Sequence, residues 1–390
     1  MLGSLSVVNV ESSAIVNGNM KVGGFVASME SIRDQVSTVS FDSCVSKGTV
    51  SGDRNVGGLI GHLYGNQKVN FIFLKCEHKG TITGNVNVGS FVGNLGTNTD
   101  TSVNITQCLN NGKVQGETVA GAFVSSAIWN TNINIMIQDS VNNGNINGSS
   151  KLGGFIGDLS SNINSDVTLY NCTNNGAING IAGFCAGMVG FLSFDTETGS
   201  TKLVIQNCAN KGMVSVSASD GCGMFCVGSS HAQCLTSHVL NSINKGELKS
   251  GANVYGVANI VSKADNFVSM GKLTATLHSF SFWNESSDTG RVYCLKNTCS
   301  KCDYATKFER KSSKNTYSVV DSGEDLYDLL TFQARKMRYG MVWTKDLELV
   351  YGEMPPAQSD VSSLPPPSGG IINYLSPFVV VLAFIMLFLL

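Results

Sequence analysis

The sequence predicts an all-β fold: a right-handed parallel β-helix, built as a three-sided solenoid of about nine coils, with a small C-terminal cap region and a C-terminal apolar membrane segment. Three observations carry that prediction. A Gly/Asn/Cys motif returns every 32 residues, as Cys44, Cys76, Cys108 and, after Ser140 in the intervening place, Cys172. Glycine supplies 43 of the 390 residues and proline only 6, a glycine content well above the ordinary ~7% that defeats long helices. Between the turn residues lie short runs of β-branched and aromatic residues, and no 3.6-residue period links them.

Residues 1–280 hold the repeats. Val10 begins a partial copy, five units then keep one length, and the frame loosens at Cys208, Ser242 and Phe267. Four residues after each anchor stands a glycine (Gly48, Gly80, Gly112, Gly144, Gly176, Gly212, Gly246, Gly271), expected at a turn with positive φ. Two residues further on comes an aliphatic side chain such as Val50, Ile82 or Val114. A second block follows as GGLIG (57–61), GSFVG (89–93), GAFVS (121–125) and GGFIG (153–157), and a third apolar run leads into the next anchor, as in VNFIFLKC (69–76). Three strand-like runs per unit describe one coil of a solenoid. A lone unit cannot cover its own apolar face, whereas coils stacked about 4.8 Å apart cover one another and pair every strand backbone. Two residues after the anchor, Asn110, Asn142, Asn174, Asn210 and Asn244, with Ser46 and His78 in earlier units, predict a ladder of side-chain amides bonded from coil to coil.

GGFIG (153–157) followed by NCTNNGAING (171–180), and GSFVG (89–93) followed by QCLNNGKVQG (107–116), resemble the GLUG-type repeat, over about residues 10–275. The resemblance implies a large secreted or surface protein of the kind found in bacteria and in protists, including trichomonad-like surface proteins. It implies nothing about activity. Val216 and Ser250 replace the closing glycine in the last copies, so those coils are expected to be irregular.

Of the 12 cysteines, the anchors are read as small, buried, reduced side chains in preference to a disulfide ladder, because the coil spacing of about 4.8 Å is wide for a disulfide whose Cβ atoms sit ~3.8 Å apart. Cys185, Cys222, Cys226 and Cys234 gather in the late coils, and CLKNTCSKC (294–302) is read as local disulfides over half a zinc site, since no second ligand pair follows. Residues 281–352 lose the repeat, gain charge and carry Trp283 and Trp343. They are expected to form a cap or small module, with a short helix over 325–335 and strands over 336–352. Residues 353–370 hold five of the six prolines and read as an extended linker. Residues 371–390 carry no charge and are long enough to cross a bilayer. With small residues and a polar spacer ahead of them they read as a lipid-anchor signal attached at Ser362 or Ser363, in preference to an uncleaved spanning helix. No signal peptide opens the chain, and the natural N-terminus is expected to be longer. Sequons at Asn104, Asn147, Asn171 and Asn284 are candidate glycosylation sites.

No catalytic, cofactor or metal site emerges. Asp42, Asp53, Glu77, Asp100, Glu117, Asp139, Asp158 and Asp166 fall at scattered repeat offsets, the five histidines form no ligand spacing, and a net charge of −2 gives no pull on nucleic acid. The reading is a non-enzymatic cell-surface solenoid, an adhesin-like or antigenic stalk held to the membrane by its C-terminal segment. Its expected partners are host, matrix or neighbouring-cell glycans or proteins. The alternative is a carbohydrate-active β-helix enzyme of the pectin-lyase-like type, with acids gathered from different coils.

Overall fold

The computed structural model describes residues 3–280, apart from 34–35, 194–199, 229–234, 260 and 277, together with the strands 291–295 and 316–320 and residues 341–351 apart from 345 and 347. The described residues contain no helix; they form a parallel β-solenoid of about seven turns. One coil shows the plan: Val69–Leu74, Glu77–His78, Thr81–Gly84, Val86–Gly89 and Val92–Gly96. Each of these five strands pairs in parallel with its counterpart 32 residues later, as in Phe71↔Val103, His78↔Asn110, Ile82↔Val114, Val88↔Ala120 and Val92↔Val124. Five sheets result, here called one to five in chain order, of 9, 11, 9, 9 and 7 strands. The sequence offers three runs per coil where the backbone forms five strands, because strands as short as Glu77–His78 show no period-2 pattern.

The turn glycines have a different cause from the one expected. Gly48, Gly80, Gly112, Gly144, Gly176, Gly212, Gly246 and Gly271 all lack positive φ, and the described glycines that have it are Gly65 and Gly183. What forbids a side chain is close approach: a Cβ on Gly144 would run into the carbonyl oxygen of Gly112 one coil before, and the same clash recurs along the column. The left-handed corner is made one residue ahead of the anchor, by Ser43, Lys75, Gln107, Asp139, Asn171, Asn207, Asn241 and Asn266, with φ between 45 and 56°. Gly183, at φ 80°, lies where the chain takes up one extra residue: Ile146↔Ile178 are 32 apart, and Leu152↔Cys185 are 33 apart.

Inward positions stack like on like. In sheet one Val39, Phe71, Val103, Ile135, Val167 and Leu203 form one column, and Phe41, Phe73, Ile105, Ile137, Leu169 and Ile205 the next, all buried. Phe91, Phe123 and Phe155 stack with ring centroids 4.9 Å apart, the coil repeat itself. The first coil, by contrast, leaves Leu5, Val8, Val10, Ile15 and Met20 exposed.

Sheet two continues past the repeats through Arg291–Leu295 and Thr316–Val320, which pair in parallel. Met341–Trp343 and Leu349–Tyr351 form an antiparallel hairpin. The hairpin packs on the late coils: Trp343 Nε1 donates to Asn241 Oδ1 at 2.8 Å, and the Glu348 carboxylate receives Lys211 and Lys245 at 2.6 and 2.5 Å. By contacts, residues Met1–Glu353 form one compact unit and Met354–Leu390 a second. The second unit lies outside the described residues, as do the helix expected over 325–335 and the apolar segment 371–390.

Candidate functional surface

The anchor position has a hydrogen-bonding role that explains why cysteine and serine alternate there. Cys108 Sγ points at the carbonyl oxygens of Thr106 and Phe73, at 3.3 and 3.5 Å, and accepts the Cys76 backbone N–H at 3.3 Å. One coil on, Ser140 Oγ donates to Gln138 O at 2.7 Å and accepts the Cys108 N–H at 3.1 Å. Ser242 repeats this with Leu240 O and Cys208 N–H. Cys44, Cys76, Cys108, Cys172 and Cys208 are free and buried. Burial holds the Cys108 and Cys172 thiols well above their ordinary range and pushes Cys185 up to about 12. These three are protonated and inert as nucleophiles.

The expected Asn ladder is present: Asn110, Asn142, Asn174 and Asn210 each donate Nδ2 to the next Oδ1, the last to Asn244, at 2.7 to 2.8 Å. His78 occupies the same column without joining it. Its Nε2 meets Gly80 O at 3.1 Å, its Nδ1 is buried without a partner, and burial lowers its pKa to about 4. A second ladder, Asn66, Asn98, Asn130 and Asn162, escaped the sequence reading although it keeps the 32-residue step. Each of the last three caps the backbone N–H of the one before through Oδ1, at 2.9 to 3.0 Å.

The disulfide Cys222–Cys226, with Cα atoms 5.7 Å apart, also went unread. Its signal lies in the repeat: by register Gly121, Gly153, Ala186 and Cys222 form one column, so CGMFC (222–226) replaces the GGFIG block. Earlier coils close this corner by backbone contact, with Gly57 lying against the Ile60 carbonyl. Here a covalent bridge closes it, and the pairing register shifts between Val189 and Leu192.

Among the described residues the carboxylates are not gathered. Asp53, Asp100 and Asp139 accept from Asn85, Asn132 and Asn171 one coil later, as rungs of surface ladders. Among the candidate glycosylation sites, Asn104 lies on the outer face of sheet one with Nδ2 3.3 Å from Asn70 Oδ1, Asn147 accepts from Asn179 at 2.9 Å, and Asn171 forms a left-handed corner at φ 52°. Asn284, Ser362 and Ser363 lie outside the described residues. Among the described residues no three His, Cys, Asp or Glu side chains are placed to hold a metal, and no helix is long and apolar enough to cross a membrane.

A polar strip runs along sheet five, where Ser28, His62, Asn94, Ser126 and Asp158 stand in register, all but Ser28 buried. At one end Glu30 bonds Lys21 at 2.6 Å and His62 Nδ1 at 3.1 Å, and the hydrogen bond from Lys21 is the main reason its pKa falls to about 2. At the other, Asp158 holds Lys151 at 2.7 Å and accepts Ser160. Each strand-five acid beside the strip therefore carries its own lysine. No family model, curated protein or solved structure matches this chain. The class it falls in, a parallel β-solenoid, therefore rests on its own strand pairing.

Proposed function

We propose that this protein is a surface-displayed solenoid of the GLUG-like kind, acting as an adhesin-like or antigenic stalk without catalytic activity. The observation that supports this most is the stack of in-register outer columns on sheet one, which offers a long regular contact face, while Asp53, Asp100 and Asp139 serve singly as ladder rungs. In this reading the coil is right-handed, as parallel crossovers almost always are, three-sided and repeated about nine times. Residues 281–352 cap the stack, and 371–390 direct attachment to a membrane through Ser362 or Ser363. Sugars are carried at Asn104, Asn147, Asn171 and Asn284.

The test displays the full chain, behind a secretory leader, on cells that lack it. Binding to host cells or matrix should rise and be competed by purified chain, and a phosphatidylinositol-specific phospholipase should release the protein. Unchanged binding contradicts the adhesive role. Release by detergent alone contradicts the lipid anchor in favour of a spanning helix. Turnover of a polysaccharide overturns the non-enzymatic reading.

A further inference from the structure

Beside the polar strip of sheet five runs a shelf of aromatic and apolar side chains. Tyr64, Gly96 and Ile128 occupy one column two residues along from His62, Asn94 and Ser126, one coil apart each. A Cβ on Gly96 would lie 3.3 Å from Asn94 Nδ2 and 3.4 Å from the Tyr64 ring, so the amide and the ring meet over bare backbone. The Tyr64 ring also stacks on His62, centroids 5.0 Å apart. Trp129 follows Ile128 and is 60% exposed, although every inward aromatic of the same coils is buried. An indole held in water by a fold that buries its aromatics so thoroughly has a use outside the core.

The second observation is independent of the rings. Asn94 is only 7% exposed, its Oδ1 is buried without a hydrogen-bond partner, as is His78 Nδ1 in its own ladder, and its Nδ2 is the end turned towards the Tyr64 ring across Gly96. An amide N–H at the edge of a shelf of rings is suited to a hydroxyl oxygen arriving from outside.

We propose that this face, on coils two to four, binds an extended neutral glycan lying along the solenoid axis. The proposal deepens the adhesive reading above and rests on it. Sugar C–H faces would stack on Tyr64 and Trp129, which lie about two coil steps, ~10 Å, apart, while a hydroxyl oxygen would accept from Asn94 Nδ2. A pyranose is about as long as one coil step, so successive sugars meet successive coils. The ligand is neutral because Glu30 and Asp158, the charges bordering the strip, are already paired with Lys21 and Lys151. Neither cation remains to recruit an anionic chain.

The test titrates the full chain in detergent with neutral hexasaccharides of a β-glucan, a mannan and a galactan, reading tryptophan fluorescence and calorimetry. One of the three should bind and shift the emission. Trp129→Ala should abolish the emission change and weaken binding tenfold or more, Tyr64→Ala should weaken it similarly, and Asn134→Ala on sheet one should leave it unchanged. Trp129 and Tyr64 are surface residues, so unchanged thermal unfolding of the variants separates lost contact from lost fold. Binding by none of the three, or equal binding by wild type and Trp129→Ala, overturns the proposal. Adhesion that persists on periodate-treated surfaces overturns it while leaving the adhesive reading standing, with a protein partner. Trp129-dependent glycan binding without cell adhesion supports the site and contradicts the adhesive reading.

Discussion

Cys108 and Ser140 stand one coil apart in the same position, and each makes the same two kinds of bond, one to the carbonyl two residues back and one from the N–H of the preceding coil's anchor. The position therefore selects a small side chain that donates and accepts. Cys108→Ser should shift unfolding free energy by less than about 1 kcal/mol. Cys108→Ala leaves the Cys76 N–H buried without an acceptor and should cost about 1–3 kcal/mol. Urea midpoints check both, and equal losses would contradict the assignment. His78 is the misfit of the neighbouring ladder. Its folded pKa, lowered to about 4 by burial, lies below the ordinary ~6.5, so the unfolded chain takes up the proton first. The resulting stability is whole above pH 6.5 and is lost as pH falls from 6.5 towards 4, about 3 kcal/mol in all. His78→Asn, which matches Asn110 and its successors, should remove that component. Urea midpoints at pH 7 and pH 4.5 should converge more closely in the variant than in the wild type, and an equal acid loss in both would refute the role.

At the scale of the element, the coil is held by columns, and their physical causes decide what could be read from the sequence. The period, the Asn110–Asn244 ladder and the buried, reduced anchor cysteines were legible, because each rests on one residue type returning at one step. The left-handed corner was not, since Lys75, Gln107 and Asp139 share no chemistry and only the backbone knows that they turn alike. The glycine column was seen but misexplained. Positive φ is local and can be guessed from a turn, whereas contact between Gly144 and the Gly112 carbonyl exists only once coils stack. The exposed Trp129 and the unpaired Asn94 amide oxygen have no period and therefore no signal in the repeat. Gly144→Ala separates the two explanations of the column, because alanine tolerates the negative φ but not the clash. It should cost about 3 kcal/mol or more through overpacking, read as a drop in urea midpoint. A loss below about 1 kcal/mol would contradict close approach as the cause.

At the scale of the whole molecule, each turn touches only its neighbours, so stability accumulates coil by coil and the outer columns become rulers laid along the stack. Thr38, Asn70, Ser102, Asn134, Asp166, Lys202 and Thr236 form one such ruler on sheet one. Everything proposed for the surface depends on that regularity, since a glycan is read by successive coils only if they advance by one constant step. Pulsed electron–electron spin resonance between nitroxides on Thr38→Cys and, in turn, Asn134→Cys, Lys202→Cys and Thr236→Cys measures it directly. Separations rising linearly by ~4.8 Å per coil, to about 14, 24 and 29 Å, are the expected result. Distances that fail to rise with coil number, or that rise by ~10 Å per repeat as between packed sheets, would contradict the solenoid and the binding face built on it.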